Sequence, residues 1–271
     1  VGGVTLAAGA TSVQIRVATN DDFAAEGNET FALTATVTAG TTGNASATGT
    51  ATITDDSDVT TVTLSATPSV AEGGSIVYTA TLTTAAVTAM TVTLSSGQTI
   101  AIAAGAISGS VSILAPTDDP YIDAGSVSRT IASTSGGGFE SLSIDGTAAT
   151  TTVSDTIDTT TATLTATPAV AEGGTITYTV SLTAPVTGSD VSVLLANGQT
   201  VTIPVGASSA SVTSIAPDNV YGGGASVANN IVSASGGNFE PLTPNSAPVP
   251  TTVSDDGDVT TVALAATPSV V

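Results

Sequence analysis

The stretch from Val59 to Asp158 recurs from Thr159 to Asp258, and anchors at both ends of the copies share one register. TTVTLSATPSVAEGG begins at Thr60, TTATLTATPAVAEGG at Thr160 and TTVALAATPSVV at Thr260, a spacing of 100 residues each time. Later anchors keep that spacing: SGGGFE at Ser135 answers SGGNFE at Ser235, and TTVSD stands at both Thr151 and Thr251. A unit of this length is able to bury its own core, unlike the 20–45-residue repeats of solenoids. The expected organisation is therefore an unrelated segment at 1–58, full repeats at 59–158 and 159–258, and the first strand of a third repeat at 259–271.

Within each repeat the hydrophobic period is two. In SIVYTATLT, Ile76, Tyr78, Ala80 and Leu82 share one face, and in TITYTVSLT so do Ile176, Tyr178, Val180 and Leu182. The alternation returns at Met90, Val92 and Leu94 and at Val191, Val193 and Leu195. Strands rich in Val, Ile and Thr, bounded by Gly, Pro and Asn, are half-buried antiparallel strands. No window holds a helical stripe, so the fold class is all-β. Seven strands are expected in the first repeat, near 60–67, 75–83, 89–95, 98–103, 107–114, 126–133 and 147–154. Seven short strands in ~100 residues indicate an immunoglobulin-like sandwich, and tandem copies of it an elongated rod. Tyr121 and Tyr221, just before the sixth strand, are candidates for the tyrosine that fastens the corner of such sandwiches. Arg129 falls at an inward position where the second copy has Asn229, leaving open an outward reach to Asp123 or a bulge.

The charge pattern is one-sided. There are 22 acidic residues and 2 basic ones, with no His and no Cys, for a formal charge of −20. Two arginines do not neutralise phosphates, which excludes nucleic acid as a partner and disfavours anionic membrane surfaces. No apolar run approaches the ~18 residues of a membrane helix, so no direct membrane insertion is expected. Without His, Cys or Lys the usual nucleophile–base pairs are missing, and with no Trp a sugar subsite lacks its aromatic platform; no enzyme activity is expected.

The acids gather in a few loops. With strands alternating down and up, the lower end of each repeat collects the loops after strands one, three and five and the exit linker. Glu72 lies after strand one, Asp118, Asp119 and Asp123 after strand five, and Asp155 and Asp158 in the linker. The second copy has Glu172, then Asp218, then Asp255, Asp256 and Asp258. At the opposite end Glu140 is expected to face the linker of Asp55, Asp56 and Asp58, and Glu240 the linker of Asp155 and Asp158. Carboxylates brought together repel, and a divalent cation relieves them. With oxygen ligands alone that cation is Ca2+, since zinc, copper and iron favour the missing His or Cys. Solvated loop carboxylates are the plainer alternative.

The first 58 residues carry DDFAAEGNETFALTATVTAG and, further on, ATGTATITDDSD. Here the chain resembles the second half of a Calx-beta domain. The resemblance implies Ca2+ ligation by Asp21, Asp22, Glu26 and Glu29 in the loop and by Asp55, Asp56 and Asp58 at the end. It also implies that the sequence begins mid-domain; Asn28 departs from the family pattern, which often has an acid there.

ATPSVAEGGSIVYTATLT, NGQTVTIPVGASSASV, the DDPY and DNVY loops and SGGNFEPL resemble the immunoglobulin-like extender repeats of giant LapA-type bacterial adhesins, the repeats-in-toxin adhesins. The resemblance spans 59–271. It implies a structural spacer segment of a cell-surface protein exported by type I secretion, which projects an adhesive tip in biofilm formation. The expected partners are neighbouring repeats of the same chain, with other copies of the chain or surface glycans as further candidates. Alternative readings are a carbohydrate- or cell-surface-binding module, an accessory region of a secreted hydrolase, and a self-associating matrix filament.

Overall fold

A computed structural model describes residues 2–266, and among them there is no helix. The chain divides into two compact units. One comprises Val1–Val70, Gly74–Ala115 and Ser126–Thr152; the other comprises Ala71–Gly73, Pro116–Gly125 and Val153–Val271. Three loop stretches of the first repeat thus belong to the unit that contains the second repeat.

In the first unit, β1 (Glu29–Thr36) and β2 (Ser46–Ile53) form an antiparallel hairpin, with Glu29 opposite Ile53 and Thr36 opposite Ser46. The first repeat follows as β3 (Val59–Ala66), β4 (Ser69–Ala71), β5 (Ser75–Leu82), β6 (Met90–Leu94), β7 (Thr99–Ile102) and β8 (Ser108–Leu114). It continues with β9 (Gly125–Arg129), β10 (Ile131–Gly136), β11 (Ser141–Ile144) and β12 (Ala149–Ser154). A four-stranded sheet, β11-β3-β5-β8, faces a three-stranded sheet, β10-β6-β7, across a core of Val62, Ile76, Tyr78, Leu82, Met90, Leu94, Ile100 and Ile102. Ile76, Tyr78, Ala80 and Leu82 of β5 are all buried, the face that the period of two marks out.

The second repeat holds β13 (Thr160–Ala166), β14 (Ala169–Ala171), β15 (Thr175–Leu182), β16 (Val191–Leu195), β17 (Thr200–Ile203) and β18 (Ser209–Ile215). Then come β19 (Ala225–Asn229), β20 (Ile231–Gly236), β21 (Leu242–Pro244) and β22 (Val249–Ser254). Its sheets are ordered β18-β15-β13-β21, β17-β16-β20 and β14-β22-β19, the same three arrangements as in the first repeat. Ile176, Tyr178, Val180, Val191, Val193, Leu195, Val201, Ile203 and Ile231 fill the core. This is a pair of all-β sandwich repeats.

Each repeat has ten strands rather than seven, and two of the differences have a clear cause. Pro168 cannot donate to a ladder, so the opening strand ends before it and resumes as β14 in another sheet. There β14 runs parallel to β22, while β13 runs parallel to β21, so the sheets are mixed rather than purely antiparallel. The expected sixth strand is likewise cut in two. β19 pairs with β22, β20 pairs with β16, and the chain changes sheet at Asn230. Asn229 is 1 % exposed there, and its Oδ1 accepts the amides of Asn197 and Asn230, which replaces the interrupted ladder. In the first repeat Arg129 fills this corner, its Nη1 donating to the Ser128 carbonyl at 2.9 Å rather than to Asp123.

Residues 259–266 join no ladder among the described residues, so the third opening strand is not formed over this part; 267–271 lie outside the described residues. The sequences that pair with β13, in β15 and β21, come 15 or more residues downstream of it. Residues 2–28 likewise form no strand, and Ala24 alone makes an isolated bridge, to Phe139.

Candidate metal centre

The Ala-Glu-Gly-Gly turn places a glutamate inside the end of each repeat. After β14, the Glu172 amide donates to the Ser254 carbonyl at 2.9 Å and Gly174 closes the turn onto Ala171 at 3.0 Å. Gly173, at φ +66°, supplies the left-handed step that this reversal needs. Glu172 is thereby 5 % exposed; its Oε1 accepts from Asn219 Nδ2 at 2.9 Å, and no donor reaches Oε2. Glu72 is held in the same way by the Ser154 carbonyl, is 6 % exposed, and also has an Oε2 without a donor.

Other carboxylates converge on these two. Glu172, Asp255 and Asp256 place one oxygen each within 4.8 Å of the others, as do Glu72, Asp123 and Asp155. Two more groups of that size are Asp218, Asp256 and Asp258, which shares Asp256, and Asp21, Asp56 and Asp58 in the first unit. The acids Asp21, Asp22, Glu26, Glu29, Asp55 and Asp56 line a polar cleft of about 740 Å³ there.

The electrostatics follow from crowding without counter-charge. Glu72 is pushed up to about 7 by a hydrogen bond to Asp123, which requires a proton on one of the two, then by burial and by the charges of Asp123, Asp155 and Asp119. Glu172 is raised by burial and by Asp255, Asp256 and Asp218, against a lowering bond from Asn219. Asp258 is raised by Asp256 first, then by burial, and Asp58 by burial, Asp56 and Asp21.

Several candidate ligands also accept hydrogen bonds from nearby backbone and side-chain groups. Asp22 Oδ1 accepts the Ala24 amide at 2.8 Å, Asp119 Oδ1 the Tyr121 amide at 3.0 Å, and Asp55 Oδ2 the Glu26 amide at 2.9 Å. Asp118 accepts the Thr156 hydroxyl. Glu140 and Glu240 do stand at their linkers: Glu140 Oε2 accepts the Asp58 amide at 2.7 Å, and Glu240 Oε2 accepts the Asp158 amide. An Asp58 bond competes with burial and the charges of Asp55, Asp56 and Asp58, and the net effect raises Glu140. One group member, Asp123, comes from the loop after the expected fifth strand. Its equivalent is Gly223, so comparing the two copies gives no signal for it.

Tyr121 corrects another expectation. It does not fasten its own corner; its hydroxyl donates to the Pro185 carbonyl at 2.7 Å and its ring stacks on Phe239, centroids 5.5 Å apart and planes at 27°. Backbone bonds continue the contact, from the Ile122 amide to the Asn238 carbonyl and from the Glu240 amide to the Pro120 carbonyl. Gly237 permits it: at φ +69°, a Cβ there would lie 2.7 Å from the Phe239 ring. Tyr221, in the matching loop, is 77 % exposed.

The donors are all oxygens, anionic, clustered in threes, and in two groups include a buried oxygen with no donor. That set fits a hard divalent cation and no soft one. It would be held by Glu72, Asp123 and Asp155 in one group and by Glu172, Asp255 and Asp256 in the other. Among family models, the one described as LapA domain matches residues 58–156 and again residues 158–256. No curated protein matches the chain.

Proposed function

The chain belongs to the LapA domain family, and from that premise we propose that it is a spacer segment of a large secreted bacterial surface adhesin, stiffened by Ca2+ at its linkers. The role is structural rather than catalytic. Repeats of this kind carry an adhesive region away from the cell and thereby serve adhesion and biofilm formation, after export by type I secretion. The N-terminal hairpin with its acidic cleft is, on this reading, the end of a Calx-beta-like domain that binds Ca2+ through Asp21, Asp56 and Asp58.

The observation that carries the reading is the pair of glutamates, Glu72 and Glu172, each more than nine-tenths buried among carboxylates with an oxygen that no donor reaches. Burying a charge without a partner is costly, and no Lys exists in the chain to serve as one. A cation at extracellular concentration needs an affinity of only ~10⁻⁴–10⁻³ M to occupy such a site. At 5 mM Ca2+ that range stabilises the folded state by about 1–2 kcal/mol per occupied site.

Small-angle scattering and thermal melts, in millimolar Ca2+ and then in excess chelator, test the proposal. Chelation is expected to lower the melting midpoint and to give a shorter, more flexible particle. Equal midpoints and equal dimensions would leave the acids as solvated loops and refute the calcium reading.

A further inference from the structure

We propose that Asp123 ties the cation site of the first repeat to the Tyr121 clasp, so that cation binding and docking of that loop on Phe239 are thermodynamically coupled. The inference rests on the calcium reading above and concerns which residues complete each site. Both groups contain the turn glutamate and the first linker aspartate, Glu72 with Asp155 and Glu172 with Asp255. They differ in the third carboxylate. In the second repeat it is Asp256, the next residue of the same linker; in the first it is Asp123, from the loop that spans 116–125. Thr156 stands where Asp256 does, and it donates to Asp118.

Asp123 is two residues from Tyr121 and adjacent to Ile122. Tyr121 stacks on Phe239 and donates to Pro185, while Ile122 exchanges bonds with Asn238 through its amide and through its carbonyl, each at 2.9 Å. Ile122 also lines an apolar recess with Asp155, Ile157, Glu240 and Pro241, so the cation group and the clasp share a wall. A cation on Glu72, Asp123 and Asp155 therefore fixes the loop that the clasp also fixes. Whichever binds first lowers the ordering cost of the other, and the coupling is reciprocal. In the second repeat Ile122, Asp123 and Ala124 are replaced by Gly222, Gly223 and Gly224. That loop offers no carboxylate at this position, only the Gly223 amide to Asp255 at 3.3 Å.

Calorimetric titration of the whole chain with Ca2+ tests this in the wild type and in Asp123→Asn, Tyr121→Ala, Tyr121→Phe and Tyr221→Ala. Asp123→Asn is expected to weaken one class of site by about 10-fold or more, through loss of a ligand charge. Tyr121→Ala should weaken the same class by about 2- to 10-fold, the worth of an aromatic pair. Tyr121→Phe keeps the ring and so falls between Tyr121→Ala and the wild type, and it guards against a variant that loses its fold. Tyr221→Ala should titrate as the wild type does. Wild-type titration by both Tyr121 variants, or a full set of sites in Asp123→Asn, overturns the coupling while leaving the calcium reading standing. No heat from any protein overturns both.

Discussion

Two glycines of the second repeat separate backbone strain from steric exclusion. Gly206 and Gly236 both hold left-handed dihedrals, at φ +87° and +97°. A Cβ on Gly206 would meet nothing within 4 Å, whereas on Gly236 it would lie 2.2 Å from the Asp190 carbonyl oxygen and 3.2 Å from its carbon. Gly206→Ala therefore incurs only the left-handed cost, about 1–2 kcal/mol, offset by about 0.4–1 kcal/mol from the stiffer unfolded chain. The net loss is under about 1.5 kcal/mol. Gly236→Ala adds an overlap of more than 1 Å with backbone, which yields only if the β16–β20 ladder opens where Gly236 faces Val191. Losing one or two ladder bonds at about 1 kcal/mol each and loosening the neighbouring Phe239 brings the total to about 3–5 kcal/mol. At about 4–8 °C per kcal/mol for a unit of this size, Gly236→Ala should lower the melting midpoint of the second repeat by at least about 10 °C. Gly206→Ala, at under about 1.5 kcal/mol, should lower it by no more than about 6–12 °C on the same scale. Thermal unfolding followed by far-ultraviolet circular dichroism reads both. Equal midpoints for the two variants would refute the close approach at Gly236.

The metal-free chain should be more stable in mild acid than at neutral pH. Glu72, raised from 4.5 to about 7, keeps in the folded state a proton that the unfolded chain releases. That contribution is complete below pH 4.5 and is lost as the pH rises through about 7. Melts in chelator should therefore show a falling midpoint between pH 5 and pH 8, and millimolar Ca2+, which competes with the proton, should abolish the fall. A flat chelator profile would count against the crowding of Glu72, Asp123 and Asp155. Asn229→Ala removes the acceptor of the Asn197 and Asn230 amides at a site 1 % exposed, so urea unfolding should show a loss of about 2–4 kcal/mol. A loss below 0.5 kcal/mol would mean that the sheet change does not depend on that side chain.

The faces of the long strands were legible because one rule decides them: successive side chains point to opposite sides, and Ile176, Tyr178, Val180 and Leu182 obey it across the whole of β15. The short strands were not, because their partners are set by tertiary geometry. β14 has three residues, too few for an alternation to register, and its ladder is with β22, more than 80 residues away. Asn229 reads as a defect in an inward face, and only the fold reveals it as the acceptor that permits a change of sheet. The acidic loops are visible as a recurrence, with Glu72 and Glu172 among them, but nothing local marks those two as buried. Which acid joins them is not visible either, since Asp123 and Asp256 occupy different segments and neither has a counterpart in the other copy. Tyr121 was noticed for its place before a strand, yet its partner Phe239 lies 118 positions on, a distance that no local pattern spans.

The contacts of Glu140 and Glu240 have a consequence for how such arrays diversify. Each glutamate grips the peptide N–H of a residue 82 positions earlier, Asp58 and Asp158, and any amino acid but proline offers that same group. The side chains of the connecting segment thus differ, DDSD in one case and SDTID in the other, while the backbone amide that the glutamate holds stays the same. A tandem gene that duplicates, deletes or shuffles its units therefore keeps that peptide group available whatever side chains the segment inherits.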